Sequence, residues 1–249
     1  TLFAQKPFVS LKELKELFPG VSSMTLRRDI EYFENQGDAI KVRGGARSMK
    51  FITSSTDDSI TTRMNENVSS KEKIASRAAD FLETGRSIFI DSGSTLQRMV
   101  PCVPNDRYTF ITTNPSAALE LSKIGMPLVN IVGGKLDRDY QSVSGMQAMK
   151  FLADVNIDIA FLSPSGLTAK SGFTGGNYSE CELKRAVVEK ARLVVMLMDY
   201  SKTDKCLPYT FCTMKDINVL ITDGDIDGEL YEQAAENGVT VINVNKNND

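Results

Sequence analysis

The chain has 249 residues, 41% of them hydrophobic and 24% charged, a net charge of −3 and no histidine. Those proportions suit a folded globular protein, and the missing imidazoles exclude a Ser-His-Asp triad, a Cys-His pair and any His-ligated metal. No stretch approaches the roughly 18 consecutive apolar residues of a membrane helix, and Lys6, Lys12, Glu13, Lys15 and Glu16 interrupt the apolar core that a signal peptide would need.

Charge is unevenly spread. Residues 1–50 hold nine Lys/Arg against six Asp/Glu, and the remainder holds 20 against 26. A basic end on an acidic body suits a nucleic-acid module joined to something else. Within the basic end, Ser10 is placed to cap a short helix over Leu11, Leu14, Leu17 and Phe18. Pro19-Gly20-Val21 makes a turn, and Ser22 or Ser23 caps a second helix that runs to a stop at Gly37. Residues 39–43 and Gly44-Gly45 then read as a short basic hairpin. Helix, tight turn, helix and hairpin outline a winged helix-turn-helix over residues 1–47.

On the second helix, Leu26, Ile30 and Phe33 are spaced to form one buried face. Ser22, Ser23, Met24, Thr25, Arg27 and Arg28 are left for the opposite side of its N-terminal half. These residue types suit a major groove: Arg forks onto guanine, Thr and Met touch thymine methyls, and hydroxyls reach phosphates. Lys41 and Arg43 on the hairpin extend the candidate DNA surface. The plainer reading is a solvated amphipathic helix whose arginines pair with Asp29 or Glu31.

Residues 48–70 lack a sustained apolar period and contain the polar run 53–59, which is linker composition. From residue 71 to 249 the pattern becomes regular. Apolar strand-length runs at 88–90, 108–111, 128–132, 157–162, 193–198, 219–221 and 239–242 mostly alternate with helix-period segments. That predicts an α/β fold with a mostly parallel sheet covered on both faces, and a ligand site at the carboxyl ends of its strands.

The loops at those ends are polar or glycine-rich. Asp91, Ser92, Gly93, Ser94 and Thr95 follow the first strand and open a helix, so their backbone amides could meet an anion. The same sequence would serve as an ordinary tight cap. Thr113 and Asn114 follow the second strand, Gly133 and Gly134 the third, Ser163 to Gly166 the fourth, and Lys202 lies just after the fifth. Glu180 and Lys184 start a later helix and complete the candidate effector set, although an i,i+4 pair also stabilises a helix by itself. The four cysteines contain no Cys-x-x-Cys pair, as expected of free thiols in a reducing, cytoplasmic compartment. Neither a cofactor nor a metal is expected.

The run from Val21 to Ala46, VSSMTLRRDIEYFENQGDAIKVRGGA, closely resembles the signature of the DeoR family of bacterial regulators, through Thr25, Leu26, Arg27, Arg28, Asp29, Ile30 and the wing end Gly44, Gly45, Ala46. The body is similar to that family's sensor domain at residues 91–95, with Ser94 for Thr, at Thr113-Asn114, Gly133-Gly134, residues 180–185 and residues 199–202. Three departures stand out: a turn one residue longer, Ser163 in place of Gly, and Thr203 in place of Phe. The resemblance implies a supporting first helix lying largely before Thr1, a body related to ribose-5-phosphate isomerase, and a sugar-phosphate inducer.

The leading function is then a repressor of a sugar-metabolism operon that binds double-stranded DNA, responds to a phosphorylated sugar and works as a homo-oligomer. Two alternatives remain open. One is a sugar-phosphate isomerase with an appended head, using Glu180 or Asp91 as base and Lys184 or Lys202 as electrophile. The other is a protein-docking module.

Overall fold

The computed structural model describes residue 2 and residues 8–36, 39–42, 44–48, 60–226 and 228–246. The helix stop at Gly37, Arg43 of the wing and residues 49–59 of the linker lie outside the described residues. The chain divides into two compact units, Thr1–Asp58 and Ser59–Asp249.

The first unit contains β1 (Phe8–Ser10), α1 (Leu11–Leu17), α2 (Ser23–Asn35), β2 (Ala39–Val42) and β3 (Gly45–Ser48). Ser10 caps α1 by accepting the Glu13 N–H at 3.0 Å, and Ser22 caps α2 by accepting that of Thr25 at 3.2 Å. The small antiparallel sheet has the order β1-β3-β2. Its first strand escapes sequence reading because three residues are too few to show a period. Gly45 is required there, since a Cβ on it would fall 2.2 Å from the Val9 carbonyl oxygen. Val9, Leu14, Leu26, Ile30, Ala39 and Ala46 form the core, with each large aliphatic chain contributing about 1.5–3 kcal/mol by leaving water.

The second unit opens with α3 (Ile60–Asn65) and α4 (Val68–Ala79). Residues 60–65 and 68–70, expected to be linker, are therefore helical. Their sequence is polar because only one side of each helix is covered: Ile60 of α3, then Lys71, Ile74, Ala75 and Ala78 of α4, are the buried positions. Next come β4 (Ser87–Ile90), α5 (Ser94–Met99), β5 (Thr109–Thr112), α6 (Pro115–Leu121), β6 (Leu128–Ile131), β7 (Lys135–Asp137), β8 (Ser142–Ser144) and α7 (Met146–Ala153). After these follow β9 (Ile157–Leu162), β10 (Gly166–Thr168), β11 (Gly172–Gly175), α8 (Tyr178–Lys190), β12 (Ala191–Leu197), β13 (Tyr209–Cys212), β14 (Val219–Thr222), α9 (Gly228–Glu236) and β15 (Thr240–Asn243).

All seven predicted apolar runs become strands of one parallel sheet, ordered β15-β14-β12-β9-β4-β5-β6. Alternate residues of a strand serve opposite faces. Ile88 and Ile90 join a core with Ile74, Leu96, Met99 and Leu121, whereas Phe89 joins one with Leu152, Leu183, Val187 and Leu230. The sheet thus lies between a layer of α4, α5 and α6 and a layer of α7, α8 and α9.

Strand order reverses between β4 and β9, which are neighbours in the sheet. A crevice opens at the carboxyl ends of strands at such a reversal. Two small antiparallel additions, β7-β8 and β10-β11-β13, follow strand ends and were not foreseen. Their strands are only three or four residues of mixed type, too short to show a period without the partner strand.

Candidate functional site

In the first unit, α2 presents its N-terminal half to solvent. Ser22, Met24, Thr25, Arg27 and Arg28 are exposed and Ser23 is half-buried. Met24 is 75% exposed. The Ser22 hydroxyl lies 3.0 Å from that of Thr25 as well as capping the helix, so these two side chains are held in place. Neither Arg27 nor Arg28 forms an ion pair among the described residues. Glu31, one candidate partner for them, pairs instead with the Lys41 ammonium. That contact, mainly the hydrogen bond and then the charge, holds the Glu31 carboxyl below its ordinary range. Lys41 also donates its backbone N–H to Glu34 Oε1 at 2.9 Å. The wing strand is thereby fastened to α2, and the two paired arginines remain available to a ligand.

In the second unit the site builds from the reversal outward. Asp91, just after β4, donates its N–H to the Phe161 carbonyl of β9 at 3.1 Å. Its Oδ2 accepts the Ser163 N–H at 3.2 Å and the Lys184 ammonium at 2.8 Å. Lys184 also donates to the Ser163 carbonyl at 2.6 Å and lies over the Phe211 ring. Burial works to lower the Lys184 pKa, but the charges of Asp91 and Glu180 outweigh it and hold the ammonium above its ordinary range. Ser92, Ser94 and Thr95 are buried beside Asp91. Gly93 is needed for the close approach of the two loops, because a Cβ there would meet that of Ser163 at 2.9 Å.

The remaining predicted residues divide by role. The Thr113 carbonyl accepts the Val143 N–H at 2.8 Å and so ties the β7-β8 hairpin to the end of β5. Asn114 is buried, and its side-chain oxygen caps α6 by accepting the N–H groups of Ser116 and Ala117. Glu180, capped by Asn177 at its N–H, takes a hydrogen bond from the Ser142 hydroxyl of the hairpin. Gly133 and Gly134 are exposed at the hairpin entrance. A Cβ on Gly134 would fall 2.6 Å from the Ser144 carbonyl oxygen, a backbone reason for glycine at that point.

Lys202 is half-buried in a 3-10 turn, Tyr200–Lys202, after β12. Asp199 at the start of that turn is buried and accepts from the Asn67 amide at 2.9 Å and from the Ser201 hydroxyl.

Close to them is a residue that sequence reasoning missed. Lys71 of α4 is 1% exposed and donates to the Arg63 carbonyl at 2.5 Å. Burial drives its pKa down to about 8, against the pull of Asp199 and with the help of Lys202. An ammonium held that low lacks compensating negative charge. A signal was present: Lys71, Ile74, Ala75 and Ala78 are spaced i, i+3, i+4, i+7, which puts a lysine on the apolar face. The Thr203 hydroxyl nearby is buried with no hydrogen-bond partner among the described residues.

Two groups of side chains thus line the strand ends: an internally neutralised pair, Asp91 with Lys184, and a cation-rich group of Lys71 and Lys202 beside Asp199. Among the described residues no cluster of three or more His, Cys, Asp and Glu is arranged to hold a metal ion, and no helix is long and apolar enough to cross a membrane.

The family model of the DeoR-like helix-turn-helix domain matches residues 1–51, and that of the DeoR C terminal sensor domain matches residues 66–224. The HTH-type transcriptional regulator GlpR of Haloferax volcanii is 32% identical over 224 residues, covering 90% of this chain and 87% of that protein. The HTH-type transcriptional regulator IolR of Bacillus subtilis is 31% identical, covering 94% and 92%. The glycerol-3-phosphate regulon repressor of Escherichia coli is 26% identical, covering 89% and 87%. Among solved structures, ribose 5-phosphate isomerase A of Methanocaldococcus jannaschii aligns over 55% of each chain at 19% identity with a TM-score of 0.42. The relatives are regulators, which decides against the isomerase reading of Glu180, Asp91, Lys184 and Lys202. With both of its family models matched in order along the sequence, this chain belongs to the DeoR family of DNA-binding transcriptional regulators.

Proposed function

We propose that the chain is a cytoplasmic repressor of a sugar-metabolism operon, released from its operator by a phosphorylated sugar bound at the strand ends. Residues 1–47 are the DNA-binding domain and the sheet unit is the effector domain. The N-terminal half of α2 enters the major groove, where Arg27 and Arg28 reach base edges or phosphates and Ser22, Ser23, Met24 and Thr25 fit around them. Lys41 and Arg43 follow the backbone beside it. Working as a homo-oligomer gives two such helices for two half-sites.

The observation that carries the effector reading is Lys71, a buried lysine deficient in negative charge with Lys202 beside it. A phosphate there would supply the missing charge. The Asp91–Thr95 loop, Thr113, Asn114, Glu180 and Lys184 form the wall for the hydroxylated part of the ligand, with Gly133 and Gly134 at the hairpin entrance. A relative named for a glycerol-3-phosphate regulon is consistent with a phosphorylated polyol or sugar.

The test is a thermal-shift series with glycerol 3-phosphate, ribose 5-phosphate and fructose 6-phosphate, each beside its unphosphorylated parent. A ligand that binds only the folded state raises Tm. At least one phosphorylated compound is expected to do so while its parent does not. Equal shifts for a compound and its parent, or none anywhere, would contradict a phosphate site.

A further inference from the structure

The two edges of the large sheet are finished differently. At the β15 edge, the Asn243 amide donates to Asp225 at 2.7 Å, Lys246 pairs with Asp225 at 2.7 Å, and the Asn245 N–H donates to Asn243 Oδ1 at 3.0 Å. Charged and polar groups of this kind discourage another strand from adding to an edge. The β6 edge lacks them. Residues 125–134 contain no charge, Leu128 is 68% exposed and Ile131 48%, and Leu119, Met126 and Leu136 are exposed around them. A depression of about 260 Å³, lined by Gly85, Arg107, Tyr108, Thr109, Met126 and Leu128, lies at the start of the strand.

Among the described residues the outward backbone of this edge has no partner strand. Leu128 and Val132 donate their N–H groups to the Tyr108 and Thr112 carbonyls of the neighbouring strand. By the alternation of a ladder, the N–H and C=O of Val129 and Ile131 point away from the sheet.

We propose that the β6 edge is the interface with a second copy of this chain, paired antiparallel about a two-fold axis at Asn130. Val129 of each copy then lies opposite Ile131 of the other and exchanges both backbone hydrogen bonds with it. Such an edge is complementary to itself, as a two-fold interface must be. Residues 125–134 are uncharged on a body with an excess of acidic residues, so strand meets strand here without like charges. The result is one continuous fourteen-stranded sheet. The pairing gives the homo-oligomer of the proposed function its interface and rests on that reading, while its test by mass needs neither effector nor DNA.

Asn130 is exposed, with its amide donating to the Phe110 carbonyl at 3.3 Å, and the axis puts it against its own copy. Sedimentation of the full chain at tens of micromolar tests the proposal. The wild type is expected at twice the 27.4 kDa chain mass or a multiple of it. Asn130→Asp and Asn130→Lys each place like charges across the axis, so each alone is expected at half the wild-type mass, its dissociation constant raised about 100-fold or more. An equimolar mixture of the two restores the wild-type mass, because opposite charges now face one another. This rescue also shows that both variants are folded. A wild type that sediments as a monomer, variants that keep its mass, or a mixture that stays dissociated would each overturn the proposal.

Discussion

Each unit holds a lysine–carboxylate pair, and the two pairs have opposite surroundings. Lys41 and Glu31 meet with both side chains about half exposed, whereas Lys184 and Asp91 are almost wholly buried. Water screens the first and gives it little energy, so its role is to hold a wing strand beside a helix. The second is cut off from water, and removing one partner leaves a charge with no solvent to receive it. The site on the first unit is therefore a surface that a ligand can approach as it stands. The site on the second is a buried polar lattice in which each replacement is felt as stability.

The largest expected effect tests that contrast. Lys184→Met strands the Asp91 carboxylate and is predicted to cost about 3–5 kcal/mol in denaturant unfolding of the second unit. Replacing both partners with apolar residues is expected to cost less than the single change. Since the Lys184 pKa is raised, the wild-type advantage is complete below the ordinary lysine range and is lost only as pH rises through the raised value.

Next in size is Arg28→Ala, expected to lose about 1–3 kcal/mol of operator affinity at one base position if Arg28 reads that base. Equal losses at every position would reassign it to the phosphates. Lys202→Ala should weaken the phosphorylated effector about 10-fold, a change of roughly 1.4 kcal/mol, while leaving ligand-free operator binding unchanged. Calorimetry with the effector and DNA binding without it separate the two.

Lys71 gives a pH-dependent effect. Its folded pKa lies near 8, below the ordinary lysine value, because burial disfavours the ammonium. Between that value and the ordinary one the unfolded chain binds more proton than the folded chain, so stability gained from this group rises with pH. The stability difference between wild type and Lys71→Met should shift in favour of the wild type from pH 7 to pH 10. A constant difference would mean that Lys71 does not titrate there. Smallest of all is Lys41→Ala, expected to lower the stability of the first unit only slightly, with the loss shrinking in salt.

The same contrast explains what the sequence could reveal. The α2 surface was legible because it lies on one helix: Leu26 and Ile30 mark the buried side, and the exposed side follows from 100° per residue. The seven parallel strands were legible because burial on both faces makes each a near-continuous apolar run. The candidate site at the strand ends was only half legible. The loops carrying Asp91 and Lys202 follow strands and could be anticipated, but the contact of Asp91 with Ser163 and Lys184 joins residues up to 93 positions apart. Local patterning is silent on that. Lys71 was read only as the start of a helical segment, because its charge hid its place on an apolar face. The short strands of β7-β8 and β10-β11-β13 acquire their identity only from their partners.

The account rests on the claim that a ligand at the strand ends governs the hold of α2 on DNA. Its most direct test is fluorescence anisotropy of the full chain on DNA from its own promoter, titrated with whichever phosphorylated sugar raises Tm. The account predicts that operator affinity falls by roughly 5- to 150-fold at saturation, and that Lys202→Ala needs more ligand to reach the same fall. Operator affinity that is identical with and without saturating ligand would contradict it.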